Sequence, residues 1–241
     1  MEPILKVEDI HVSYGRTEII PGLSFEVEEG QVLGVIGPNG AGKTTLMNAL
    51  IGVCIPTAGK IYFDGVDITK YSPNKRCHMG MGRTYQVPRP FENMTVYENV
   101  LVGAAYGSGK TERAARSRCI ETLRKTGLYE KRDTLVGKLP LLDRKRIEVA
   151  RALGTEPRIL LLDEVAAGLT DAEVHEVMEL VADLKNTGYT IIWIEHVIKT
   201  MVEATDKLLC MAVGSLLIYG DPREVIDSKE VEEVYLGVEE E

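Results

Sequence analysis

Two stretches of this sequence hold residues suited to binding and activating a phosphate group. The first is "GPNGAGKTT", residues 37–45. Gly37, Gly42, Lys43 and Thr44 occupy the fixed positions of the pattern G-x-x-x-x-G-K-[ST]; Pro38, Asn39, Gly40 and Ala41 fill the loop and Thr45 follows it. Glycines let a backbone bend until several N–H groups point inward at an anion. A helix that follows adds the positive end of its dipole. In such a cradle Lys43 reaches the β- and γ-phosphates of a nucleotide, and the Thr44 hydroxyl is a Mg²⁺ ligand. The competing reading is a glycine-rich turn that only caps a helix. The second stretch is "ILLLDE", residues 159–164. Asp163 ends an apolar run, placed to orient Mg²⁺ or its waters. Glu164 comes next, and a carboxylate there is what activation of an attacking water needs. Many strands end in acids, so this pair gains its meaning from the phosphate loop upstream.

Three further residues have two readings each. His196 follows "TIIWIE" and is either a structural histidine or a γ-phosphate contact at the same sheet edge. Gln86, in "GRTYQVPRP", ends a strand-like segment and is either a surface polar residue or a ligand for Mg²⁺ or water. Tyr14, in "VSYG", is either a packed strand-end aromatic or a platform for a flat base.

The strands and helices around these residues are legible in outline. "LSFEV" (23–27) and "VLGVI" (32–36) read as strands, and "KTTLMNALIG" (43–52) as a helix, so the phosphate loop sits between strand and helix. "KIYF" (60–63) is strand-like and ends in the Asp64-Gly65 turn signal. Residues 88–155 change character: rich in Arg, Lys, Glu and Ala, they predict helices near 96–106, 111–126 and 143–153. "ILLLDE" then returns as a run suited to a strand buried on both faces. A helix (171–186), a strand (190–195), a short helix (197–204) and the strand "KLLCMAV" (207–213) complete the alternation, and the tail "GVEEE" is expected to fray. Alternating strands and helices argue an α/β core with a mostly parallel sheet. The nucleotide-binding core is expected over 1–87 and 156–241 of one domain, with 88–155 as an inserted helical subdomain.

Composition excludes several classes. The 241 residues are 44% hydrophobic and 27% charged, ordinary for a globular chain, and the net charge of −9 argues against a uniformly basic nucleic-acid surface. Four widely spaced cysteines, Cys54, Cys77, Cys119 and Cys210, read as free thiols of a reducing compartment. The start, "MEPILKVEDI", has acids where a signal peptide needs basic and then apolar residues, and no apolar run approaches the length of a membrane span. Any membrane role is expected through a partner.

Tyr14, the loop 37–44, Gln86, the stretch 139–143, Asp163-Glu164 and His196 occur in one order, and that order resembles the ATP-binding subunit of an ABC transporter. "GRTYQVPRPFENMTVYENVLVG", "KRIEVARAL", "LLLDEVAAGL" and "WIEH" are similar to the branched-chain amino-acid transport group. The resemblance implies a P-loop ATPase core, an N-terminal antiparallel β portion and an inserted helical subdomain. It implies ATP and Mg²⁺ as ligands, and two such subunits that close head to tail around two ATP molecules. It assigns adenine stacking to Tyr14, Mg²⁺ sensing and a relay to the membrane partner to Gln86, general base to Glu164 and the γ-phosphate to His196. "AAGLTD" (166–171) becomes the crossing loop at the dimer interface. Implied partners are a second ATPase subunit, two membrane permease subunits and, indirectly, a solute-binding protein, with the chain held at the cytoplasmic face of the membrane and no nucleic acid. Two alternatives remain: an ATP-binding regulatory module with little hydrolysis, and a non-transport relative of the family.

One segment departs from the family. Its signature normally reads Leu-Ser-Gly-Gly-Gln, whereas residues 139–143 read "LPLLD". Pro140 has neither hydroxyl nor N–H to offer a phosphate. Leu142 hinders close backbone approach. Asp143 brings a carboxylate that repels phosphate unless it turns away. The helix itself is expected to survive, with Asp143 as its N-cap and Ile147, Ala150 and Leu153 on one face. Arg144, Lys145 and Arg146 are expected as a solvated face or in contact with neighbours. The defect weakens the grip on the partner's ATP, so a heterodimer with a partner carrying a complete signature is favoured over a homodimer.

Overall fold

The computed structural model describes residues 2–107 and 111–236. The "GVEEE" tail expected to fray lies outside them. The chain divides into two compact units, residues 1–73 with 190–241, and residues 74–189.

The first unit opens with β1 (Leu5–Tyr14), β2 (Thr17–Val27), β3 (Val32–Ile36), α1 (Lys43–Ile51), β4 (Ala58–Phe63) and β5 (Val66–Asp67). Strands β2, β1, β4 and β5 form, in that order, the antiparallel sheet. Strand β1 alternates buried Leu5 and Val7 with half-exposed Lys6 and Glu8, then shifts register at a bulge near Asp9, whose φ is 43°. Strand β3 differs. All five of its residues are buried, as a strand covered on both faces requires.

The second unit follows with α2 (Pro73–His78), β6 (Met81–Arg83), α3 (Val96–Gly107), α4 (Glu112–Lys125), α5 (Leu141–Gly154), β7 (Ile159–Asp163) and α6 (Asp171–Asn186). Strands β6 and β7 pair in parallel, and all of β7 is buried. Helices α3, α4 and α5 share a core of Val96, Val100, Cys119, Leu123, Leu128, Val136, Leu139, Ile147 and Ala150. Burying a large apolar side chain contributes about 1.5–3 kcal/mol, so this cluster fixes α5 firmly from one side. Leu139, first residue of the altered signature, is one of its members.

The chain then returns to the first unit with β8 (Thr190–Ile194), α7 (Ile198–Ala204), β9 (Lys207–Ala212), β10 (Ser215–Gly220), α8 (Pro222–Ile226) and α9 (Lys229–Leu236). There β3 lies between β8 and β9, parallel to both, and β10 runs antiparallel to β9. The fold is mixed α/β, with an antiparallel N-terminal sheet and otherwise mostly parallel pairing.

Candidate nucleotide site

The phosphate loop leaves the buried strand β3 at Ile36 and enters α1 at Lys43. Its sharp path depends on glycine at Gly37. The φ there is 149°, and a Cβ would meet the Met211 carbonyl oxygen at 2.2 Å. Gly42 takes the N-cap of α1 with φ 96° and no side-chain cap, and no acid stands in the first helical turn. The positive helix end is therefore left for an external anion. The buried Lys43 folds across the loop, its Nζ donating to the carbonyls of Gly37 at 2.6 Å and Pro38 at 3.0 Å. The Thr44 hydroxyl side chain is exposed at the helix start. A buried ammonium, a helix end without a side-chain cap and an exposed threonine form the donor set that a Mg²⁺-bound polyphosphate fits.

Register places His196 at the same edge. Strands β3 and β8 run parallel with Val35 opposite Ile194, so Gly37 and His196 each lie two residues past that pair. His196 is exposed there. Tyr14 ends β1, paired with Thr17 and 51% exposed, so it is not the packed aromatic of its structural reading. One partner of the loop was not read from the sequence. The Gly37 N–H donates to the Tyr235 hydroxyl of α9 at 2.9 Å, and burial pushes the Tyr235 phenol up to about 12. The signal was faint: Val231 and Tyr235 stand at i and i+4 of a helix with a buried Val231.

In the second unit the acidic pair lies at the end of β7. The Asp163 carboxylate pairs with Arg83 at 2.8 Å, both side chains buried, and its N–H donates to the Thr84 hydroxyl at 3.1 Å. Glu164 adopts φ 47°, left-handed backbone that costs a non-glycine residue roughly 1–2 kcal/mol. The surroundings hold it there. Gln86 Nε2 donates to Glu164 Oε2 at 2.5 Å. The Glu164 carbonyl accepts from the Ala167 N–H at 3.2 Å and from Lys145 Nζ at 2.9 Å. Gln86 does not end a strand: β6 stops at Arg83, and Gln86 lies three residues beyond in a bend. The structure thus brings Gln86, Asp163 and Glu164 together, and it adds Lys145.

The altered signature is well folded. Pro140, in extended conformation, takes the N-cap of α5, and the helix begins at Leu141. Asp143 is not the N-cap; it lies inside the first turn, 1% exposed, with its carboxylate 2.5 Å from Lys131 Nζ. It turns inward because the buried carboxylate gains a cation there and lies in the favourable field of the helix start. The three basic residues are all committed within the unit. Arg144 donates to the carbonyls of Leu139 at 3.0 Å and Gly137 at 2.8 Å. Arg146 pairs with Glu176 at 2.6 Å. Lys145 is buried and spans the carbonyls of Gln86 and Glu164. All three are thus engaged by carbonyls and carboxylates of the same unit.

A parallel-stranded α/β fold with this loop between strand and helix defines a P-loop ATPase. The ABC transporter family model matches residues 20–167, and the chain belongs to that family. It is 36% identical to a high-affinity branched-chain amino acid transport ATP-binding protein of Pseudomonas aeruginosa, over 98% of each chain. It is 30% identical to a lipopolysaccharide export system ATP-binding protein of Haemophilus influenzae, over 97% of each. Among solved structures, an ATP-binding cassette of an ABC transporter in its ADP conformation superposes with a TM-score of 0.90 at 32% identity, covering 98% of this chain and all of that one. The chain is an ATP-binding, ATP-hydrolysing subunit of a transporter, a class that binds ATP with Mg²⁺ and works with membrane permease subunits.

Proposed function

We propose that this subunit powers import of branched-chain or related amino acids, beside a second, different ATPase subunit. The substrate class rests on likeness. The Pseudomonas aeruginosa relative at 36% identity is named for branched-chain amino acid transport, and so is one of Escherichia coli at 34%. A second reading, lipopolysaccharide export, has the support of the 30% identical Haemophilus influenzae relative. Deleting this chain's gene and measuring uptake of labelled leucine, isoleucine and valine separates them. Uptake falls on the first reading; unchanged uptake with defective lipopolysaccharide export supports the second.

The proposed roles follow the motifs. Lys43 and backbone N–H groups of the loop beyond Pro38 bind the phosphates, with Tyr14 against the base. Thr44, Asp163 and Gln86 would hold Mg²⁺, whose charge would offset that on the phosphates. Glu164 takes the proton of the attacking water, and His196 holds the γ-phosphate. The observation that carries this reading is the short Gln86–Glu164 contact, which ties the base to the residue assigned to Mg²⁺ sensing. Glu164→Gln tests it: Mg-ATP binding persists while turnover falls by about 10²-fold or more. Unchanged turnover removes Glu164 from the role of base and supports a different mechanism.

The asymmetric pairing rests on the signature. The loop and acids of this chain are complete, and a charge-assisted hydrogen bond of the kind Pro140 and Leu142 cannot supply is worth about 1.5–3 kcal/mol. A partner with a complete signature would cap this chain's ATP; a second copy would not. The proposed location is the cytoplasmic face of the membrane, through the permeases. No helix among the described residues is long and apolar enough to cross a membrane.

A further inference from the structure

We propose that Lys145 is a positioning residue for ATP hydrolysis, through which the first turn of α5 sets the backbone of Glu164 and Gln86. The inference rests on Glu164 as the base. Lys145 is 3% exposed, and its ammonium lies 2.8 Å from the Gln86 carbonyl and 2.9 Å from the Glu164 carbonyl. Those two residues are themselves joined side chain to side chain. The result is a closed triangle with one corner on the signature helix, one on the segment after β6 and one at the end of β7. The corner at Glu164 is the strained one, with φ 47°. A non-glycine residue stays in that region only where its surroundings hold it. The Ala167 N–H and Lys145 both bond its carbonyl, one from its own loop and one from another element.

The choice of lysine has a physical reason. An ammonium carries three donors on a flexible stem and no acceptor, so one side chain can serve two carbonyls that belong to different segments. Leu142, Lys145, Val149 and Ala152 form one buried stripe of α5. The ammonium is therefore anchored to the same turn that carries Pro140, Leu141 and Leu142. Whatever moves that turn moves the Glu164 carbonyl, and with it the carboxylate that must meet water in reaction geometry. Displacing a reacting group by about 1 Å costs on the order of 10²-fold in rate. The phosphate loop carries most of the nucleotide affinity, and the triangle reaches the nucleotide only through the Gln86 side chain.

The test uses the membrane complex purified through a tag on this full-length chain, with ATP turnover and Mg-ATP binding measured on each variant. For Lys145→Met, kcat falls by about 30- to 100-fold while KM for ATP and the binding constant stay within about twofold. Lys145→Arg, which restores two or more donors, recovers kcat to within about fivefold of the parent. In a Glu164→Gln background, Lys145→Met causes no further loss, because the two act as one unit. If Lys145→Met does not fold, Lys145→Gln, which keeps one donor, is read in the same way, with an intermediate kcat expected. A kcat within twofold of the parent in the methionine or glutamine variant, or an additional tenfold loss on top of Glu164→Gln, overturns the proposal while the base assignment stands. Normal turnover in Glu164→Gln alone overturns both.

Discussion

The ion pair beneath the altered signature, Asp143 with Lys131, stabilises the start of α5. Asp143 has 2% of its side chain exposed and lies 2.5 Å from Lys131, whose side chain is 47% exposed. In Lys131→Met the carboxylate keeps its burial and loses its cation. Removing one partner of a fully buried pair costs about 3–5 kcal/mol. Here the lysine end reaches solvent, so water can approach the carboxylate from that side, and the loss is about 2 kcal/mol. With a urea m-value near 3 kcal/mol/M, the unfolding midpoint falls by about 0.7 M. Asp143→Asn alone costs about 1 kcal/mol, since the amide oxygen still accepts from Lys131. The double variant Lys131→Met/Asp143→Asn recovers about half of the loss, because the uncompensated charge is gone. Urea unfolding followed by circular dichroism on the four proteins closes the cycle. A loss under about 0.5 kcal/mol in Lys131→Met, or a double variant no better than Lys131→Met, refutes the view that Asp143 is a structural acid rather than one facing phosphate.

Other perturbations reach the phosphate loop. Gly37→Ala forces a Cβ to 2.2 Å from the Met211 carbonyl oxygen, and fluorescent-ATP binding falls by at least about 30-fold, equivalent to about 2 kcal/mol. Burial raises Tyr235 to about 12, above the value of an unfolded tyrosine. Its contribution to stability is therefore present below about pH 10 and is lost as pH rises toward 12. Tyr235→Phe flattens that alkaline loss in a thermal-unfolding series and costs about 1 kcal/mol at neutral pH, the bond accepted from Gly37.

Much of the scaffold was legible because it follows simple periodicity. The uninterrupted apolar runs at β3 and β7 are fully buried strands, and α6 spans residues 171–186 as its pattern predicts. The start of α6 is written plainly: Thr170 and Glu173 form a reciprocal capping box. Strand β1 was harder, since its bulge at Asp9 breaks the two-residue alternation. Strand β6 is three residues long and ends before Gln86, too short to impose a pattern. The signature helix shows why the rest of the site was hidden. Ile147, Ala150 and Leu153 mark one apolar face, but α5 is buried on a second stripe through Leu142, Lys145, Val149 and Ala152. Three consecutive basic residues look alike in a sequence. Helical phase turns the middle one inward, and only the carbonyls it meets give it a role. Asp143 shows the same limit, since its partner Lys131 belongs to a one-turn 3₁₀ helix, Tyr129–Lys131, set by the packing of Leu128 and the helical core.

We propose that this chain holds a complete hydrolytic half-site and an incomplete signature. The ATPase rate of the purified chain alone, set against that of the same chain mixed with the proposed second ATPase subunit, decides this. Slow turnover alone, rising about tenfold or more in the mixture and abolished by Glu164→Gln in this chain, is the expected result. Fast turnover of the chain alone, unchanged by the second subunit, contradicts it.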